Sequence, residues 1–342
     1  MPINMLMFEV KTAEREYLEK HTFKDYNLTF YEECLDSDFI NMLPSEILEN
    51  TNAISIFNNS SISSDVLHNF RNLRVISIRA AHYDNICINS CEDKNIAVVN
   101  IPDFGAQSVA EYTIGLMINL VRNIIPANNF IKSNNKYEGG FLGRDLKNMT
   151  LGIAGTDLTG ATVCKIAKAL GMNIIAYDNI KKQELIETYN IEYLPIDEFA
   201  EKSDIISVHL EYTPETYHLF NDEIFSKCKD GMYFTNTSKS ELVDIVALQK
   251  YIDNGKIAGA ALDTSPCDSI CYNCVNLSEK LEPSNLDCLI QAEFIERFMA
   301  YDNVIITPCI AYATQDAIEN NMKQTMINVK KALNGDKMCR IV

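Results

Sequence analysis

The sequence predicts an α/β fold of two Rossmann-like domains, each a parallel sheet with helices on both faces. Three observations predict it. Short apolar runs alternate with amphipathic stretches over the first hundred residues. A second, stronger series of the same kind begins at Met149. Within that second series a glycine-bearing turn at 155–160 joins a strand to a helix. Apolar runs separated by helix-length segments imply crossover connections and therefore parallel strands.

The elements follow in chain order. Residues 1–10 are apolar, contain Glu9 and have no basic region before them, so they read as a first strand and not as a signal peptide. Residues 53–57, 75–78 and 97–100 are further strands, with helices between them. Residues 108–124 form a long amphipathic helix, with Ser108 as its N-cap and Glu111 three residues on, as in a capping box. Pro126 is expected to end it. In the second series, strands fall at 151–154, 173–177, 205–209, 232–236, 258–262 and 304–307, with a helix at 160–170. Six strands with intervening helices complete a dinucleotide-type sheet. The segment 311–333 closes the chain as a long helix.

Composition narrows the class. The chain has 342 residues, 47% hydrophobic and 23% charged, which is enough apolar material for a core in each of two domains. The net charge of −17 repels phosphate backbones and anionic lipid, so neither nucleic acid nor membrane is an expected partner. No apolar run approaches the ~20 residues that span a bilayer, and the expected location is the cytoplasm. Eleven cysteines, an odd number with no export signal, argue against a disulfide framework. Most are expected to be small buried hydrophobes.

The first chemical signal is the turn Gly155-Thr156-Asp157-Leu158-Thr159-Gly160, with Asp178 at the end of the next strand. A Gly-x-Gly-x-x-Gly turn here would cradle a pyrophosphate, and the acidic residue would hold the adenosine ribose of NAD. Asp157 replaces the second glycine, placing a side chain and a negative charge where the ligand is negative. The alternative is a turn that joins strand to helix and binds nothing.

Residues 149–178, from Met-Thr-Leu-Gly-Ile-Ala-Gly to Gly-Met-Asn-Ile-Ile-Ala-Tyr-Asp, resemble the cofactor domain of D-isomer-specific 2-hydroxyacid dehydrogenases of the D-lactate dehydrogenase type. Further pieces follow in the family's order. These are Val208-His209 with Thr213-Pro214-Glu215-Thr216, then Asn236-Thr237-Ser238-Lys239-Ser240-Glu241, then Gly259-Ala260-Ala261-Leu262-Asp263 and Thr307-Pro308-Cys309. The resemblance implies a formate/D-lactate dehydrogenase-like architecture. A discontinuous substrate domain would comprise 1–102 and 308–342, and an NAD(H)-binding domain would comprise 103–307. It also implies a homodimer, a 2-keto or 2-hydroxy acid as substrate, and an active site between the domains.

The same resemblance assigns the site positions. The family's carboxylate-gripping arginine matches Lys239, which keeps the charge but loses the planar fork. Its glutamate matches Asp268, one methylene shorter, and its histidine matches Cys309, whose neutral thiol is a poor general acid near pH 7. The substrate loop matches Ala81, His82 and Tyr83, with His82 in a glycine position. His209, Thr237 and Asp263 join the 155–160 turn and Asp178 as expected cofactor contacts, Asp263 towards the nicotinamide carboxamide. His209 and His82 are the histidines that would have to replace the missing base.

Cys267, Cys271 and Cys274 have Cys-x3-Cys-x2-Cys spacing, with Cys288 beyond. Three or four thiolates can hold zinc or an iron–sulfur cluster. A ligand-free cysteine-rich segment and a redox-sensing one are the alternatives. The sequence is thus read as a D-2-hydroxyacid dehydrogenase homologue with lost or altered catalysis. A non-catalytic nucleotide or small-acid sensor and a metal protein are the alternatives.

Overall fold

The computed structural model describes residues 2–21, 23–102, 104–133, 136, 139–263, 286–337 and 340–342. The chain divides into two compact units, one of residues 1–105 with 313–342 and the other of residues 106–312.

The first unit holds β1 (Ile3–Met7), β2 (Tyr26–Phe30), β3 (Ala53–Ile56), β4 (Val75–Ile78) and β5 (Ala97–Val99). They form one parallel sheet in the order β2-β1-β3-β4-β5. β3 and β4 are buried at every position, which is why they read as unbroken apolar runs. Side chains alternate across a strand, so the sheet sorts its residues by parity. Leu6, Phe8, Ile54, Ile56, Ile76, Ile78 and Val98 fill one face. Met5, Met7, Ala53, Val75, Ala97 and Val99 pack on the other against Met322, Met326 and Val329 of helix Gln315–Leu333.

The second unit contains β6 (Thr150–Ala154), β7 (Asn173–Tyr177), β8 (Glu192–Tyr193), β9 (Ile205–Val208), β10 (Met232–Asn236), β11 (Ile257–Leu262) and β12 (Val304–Ile306). All pair in parallel, in the order β12-β11-β10-β9-β6-β7-β8. Leu151, Ile153, Ile174 and Ile205 meet helices Ala106–Arg122 and Leu158–Ala169 on one face. The other face builds a core around Phe199, Phe220, Phe225 and Phe234, with edge-on ring contacts of 5.4 and 5.3 Å.

Several boundaries differ from the sequence reading. β2 and β8 were not anticipated. β2 is an edge strand whose exposed Asn27 and Thr29 alternate with half-buried Tyr26, Leu28 and Phe30, and β8 has only two residues. Ser108 is not an N-cap: the helix begins at Ala106, because Gly105 turns the chain at φ +73° and Ala106 and Ala110 are buried. Pro126 does not end that helix either. Asn123 ends it in the left-handed conformation, and Pro126 sits in the first turn of helix Ile124–Lys132, where its missing N–H has no intrahelical role. The final helix starts at Gln315, not at residue 311, with the Thr314 hydroxyl accepting from Ala317 N at 3.1 Å.

Among the described residues, no helix is long and apolar enough to cross a membrane. Of the cysteines described, Cys91, Cys164 and Cys228 are buried, and burial pushes their thiols up to about 11, 12 and 12. Cys87 and Cys309 are exposed.

Candidate cofactor and catalytic site

Six parallel strands of the second unit end in register with the residues singled out above. Gly155 follows β6, Asp178 follows β7, His209 follows β9, Thr237 follows β10, Asp263 follows β11 and Thr307 follows β12. Ligands of open parallel sheets bind beyond the carboxyl ends of the strands, where the strand order reverses. Here that point lies between β6 and β9: the chain runs outward through β7 and β8, then returns to β9 and continues through β10 to β12.

Two glycines shape the turn at that point. Gly155 has φ +92°, and a Cβ there would lie 2.5 Å from the carbonyl group of His209. A Cβ on Gly160 would stand 2.0 Å from the Gly155 carbonyl oxygen. The bare backbones let helix Leu158–Ala169 start directly against β6 and β9. Between them Thr156 is fully buried, and both its backbone N and its hydroxyl donate to Asp178 Oδ2, at 2.6 and 2.8 Å. Asp178 Oδ1 accepts from Ile180 N at 2.9 Å. The Tyr193 hydroxyl donates to the Thr156 hydroxyl at 3.0 Å.

Asp157 stands in the second-glycine position, but its charge is not bare. Its carboxylate pairs with Lys182 Nζ at 3.0 Å and makes no capping bond to the helix it precedes. From the sequence, Asp157 puts a negative charge where the ligand is negative; in the fold that charge is paired with Lys182. No sequence pattern announces Lys182, which lies in the connection after β7 and meets the turn only through the fold. Tyr193 was likewise missed, since a two-residue strand gives no periodicity to read.

His209 is not available as a replacement base. It is buried, its Nε2 lies 2.8 Å from the Ser207 hydroxyl, and burial drives its pKa down to about 3, so it is neutral at pH 7. Its backbone carbonyl forms the floor under Gly155.

The ends of β10, β11 and β12 form the second part of the site. The Asn236 side chain donates to the Lys239 carbonyl at 3.0 Å and accepts from Ser238 N at 2.9 Å, closing the turn that carries Lys239. The Thr237 and Thr113 hydroxyls meet at 3.0 Å, tying that turn to helix Ala106–Arg122. Asp263 N donates to the Asn236 carbonyl, joining β11 to the same turn. The buried Asp263 carboxylate accepts from the Thr307 hydroxyl at 2.5 Å, from Ile310 N at 3.1 Å and from Ala311 N at 2.7 Å. These bonds explain why residue 311 stays outside the last helix. They also hold Cys309 in the left-handed region, φ +53°, with its Sγ 3.5 Å from the Asp263 carbonyl oxygen.

The structure therefore brings Asp263, Cys309 and the Lys239 turn together. Ala81, His82 and Tyr83 belong to the first unit, where His82 and Tyr83 are exposed and the Ala81 carbonyl accepts from the Asn100 amide at 2.7 Å. Arg79, two residues before that loop, is not marked by any pattern in the sequence. It is wholly buried, 3.3 Å from Glu14, and donates to the Ser55 hydroxyl and to the carbonyls of Phe8 and Glu9. Asp268, Cys267, Cys271 and Cys274 lie outside the described residues. Among the described residues, no group of three or more His, Cys, Asp or Glu is placed to hold a metal ion.

The second unit fits a dinucleotide in three respects. The turn is built on two glycines that no larger residue can replace without displacing backbone. The first-turn amides of helix Leu158–Ala169 are not capped by the Asp157 side chain. A carboxylate, Asp178, closes the next strand. A helix N-terminus with donors of this kind is suited to a pyrophosphate.

Comparison with known proteins agrees. Residues 114–311 match the family "D-isomer specific 2-hydroxyacid dehydrogenase, NAD binding domain". A 2-hydroxyacid dehydrogenase homolog of Haemophilus influenzae is 30% identical over 340 residues, covering 98% of each chain. An aromatic 2-oxoacid reductase of Clostridium sporogenes is 32% identical over 281 residues, covering 81% of this chain and 82% of that one. Among solved structures, a D-lactate dehydrogenase of Aquifex aeolicus, complexed with NAD and lactic acid, superposes with a TM-score of 0.81 at 29% identity, covering 99% of both chains.

Proposed function

Because the chain belongs to the D-isomer-specific 2-hydroxyacid dehydrogenase family and carries its NAD-binding domain, we propose that it binds NAD(H) but has lost or altered the turnover of ordinary 2-keto acids. The observation that carries the reading is Cys309. The Asp263 carboxylate still organises the 307–311 segment, yet the side chain it presents in the family's histidine position is an exposed thiol. An imidazole changes charge near pH 7 and can pass a proton in either direction; a neutral thiol cannot do so with comparable driving force. His209, buried and neutral, does not take over the task. Lys239 offers a point charge in place of a two-point grip on a carboxylate.

When bound, the nicotinamide supplies or accepts a hydride. The chain's own part would be to hold the dinucleotide through the 155–160 turn and Asp178, while Asp263 keeps the 307–311 segment ordered. The same observation supports a sensor of a nucleotide or small acid, which is binding without turnover. A homodimer is part of the reading, and helix Ile124–Lys132 is consistent with it: it has no buried residue and leaves Ile124, Ile125 and Ile131 exposed.

The test is calorimetric titration of NADH into the full chain, followed by a screen of 2-keto acids for NADH oxidation. The screen is repeated on the variant Asp157→Gly/Lys239→Arg/Asp268→Glu/Cys309→His. We expect binding with little turnover in the natural chain, and a gain of roughly 10²-fold or more in the variant, the size of one proton-transfer group. Natural turnover at the ~1–10³ s⁻¹ ordinary for enzymes would refute the loss. No NADH binding by any form would refute the nucleotide reading.

A further inference from the structure

Asp157 occupies the N-cap of helix Leu158–Ala169, a position where an aspartate ordinarily accepts from the second or third helical amide. It makes no such bond. Its carboxylate is drawn to Lys182 Nζ, 3.0 Å away, and its side chain is 78% exposed. Lys182 is in turn fixed by the turn itself. Its backbone N donates to the Tyr193 hydroxyl at 3.0 Å, which donates to the Thr156 hydroxyl at 3.0 Å, which donates to Asp178 at 2.8 Å. Hydrogen bonding to Asp157 raises the Lys182 pKa, so the ammonium is fully charged at neutral pH.

We propose that Lys182 is a positioning residue for dinucleotide binding: it holds the Asp157 carboxylate off the first turn of the helix and neutralises it, leaving the helix amides to a pyrophosphate. This rests on the reading that the chain binds NAD(H). The two anions, carboxylate and pyrophosphate, compete for the same donors. An untethered Asp157 satisfies the amides from within the chain, as a cap does, and adds a like charge beside the phosphates. With Lys182 in place the residue that replaced glycine is turned aside, and the turn recovers the accessibility that glycine gave it. The departure from the glycine pattern and the lysine 25 residues later form one device.

The experiment is calorimetric titration of NADH into the full chain in four forms: natural, Lys182→Met, Asp157→Gly and the double variant. Circular dichroism melts confirm that each is folded. Lys182→Met is expected to weaken NADH binding about tenfold, the loss of one favourable charge arrangement at a helix N-terminus. Asp157→Gly is expected to bind at least as tightly as the natural chain. The double variant should bind like Asp157→Gly, because the lysine has nothing left to restrain. Equal affinity of Lys182→Met and the natural chain overturns the inference. A double variant as weak as Lys182→Met also overturns it, since Lys182 would then act on the dinucleotide itself. Binding by Asp157→Gly but not by the natural chain shows that Lys182 fails to offset Asp157; the inference falls, and with it the reading that the natural chain binds NAD(H). If no form binds, the NAD(H) reading falls and the inference with it.

Discussion

Replacing Asp263 with asparagine isolates what the carboxylate contributes. Oδ1 accepts from the Thr307 hydroxyl and Ile310 N, and Oδ2 accepts from Ala311 N. The asparagine oxygen can serve the first pair, but its amide then presents a second donor to Ala311 N, which is buried. One hydrogen bond to a charged acceptor is lost, worth about 1.5–3 kcal/mol, and an unsatisfied buried donor adds about 1–3 kcal/mol before relaxation. Allowing for partial adjustment of the segment, the expected cost is about 2–4 kcal/mol. At about 2–4 °C per kcal/mol for a unit of this size, the melting temperature should fall by roughly 5–15 °C. Urea denaturation followed by circular dichroism gives the free energy, and a midpoint shift at unchanged slope assigns it to the native state. Thr307→Val removes a single donor and should cost less than Asp263→Asn. A loss below about 0.5 kcal/mol for Asp263→Asn would refute the claim that this carboxylate holds the 307–311 segment.

Three other predictions follow from buried or crowded positions. The pKa of His209 is lowered from 6.5 to about 3, so the unfolded chain takes up a proton that the folded chain refuses. Its contribution is complete above about pH 6.5 and is lost as pH falls towards 3, at up to about 1.4 kcal/mol per unit; urea midpoints measured from about pH 7 to about pH 4.5 should fall more steeply for the natural chain than for His209→Gln. Arg79→Met leaves Glu14 without its buried cationic partner and should cost about 3–5 kcal/mol, so a thermal melt within 1 °C of the natural chain's, roughly the effect of a surface change, would contradict it. Gly160→Ala must push the helix away from the Gly155 carbonyl and should abolish NADH binding, whereas Gly115→Ala, with nothing within 4 Å, should gain about 0.5–1 kcal/mol in the same denaturation assay.

The strands that pack on both faces were legible because burial on both sides demands unbroken apolar runs: β3, β4 and β9 are buried throughout and were found. β2 was hidden because an edge strand needs only alternate residues inside, and Asn27 and Thr29 break the run. Helix ends failed at Ser108 and Pro126 for a related reason. Local capping chemistry marks where a helix can begin or end, while burial of Ala106 and the left-handed Asn123 decided where these do.

By itself the sequence determined the fold class and the family, and it pointed to Asp157, Lys239 and Cys309 as proposed departures from the family pattern, because these depend on residue type and order along the chain. Tertiary structure alone decided what surrounds them. Only the fold places Lys182 against Asp157, turns His209 inward to a neutral state, and ties Cys309 to β11 through Asp263. Each of these is a contact between residues 25 or more positions apart, or a consequence of burial. Charge state and hydrogen-bond partner are set by what surrounds a group in space, and that neighbourhood exists only once the parallel strands have assembled.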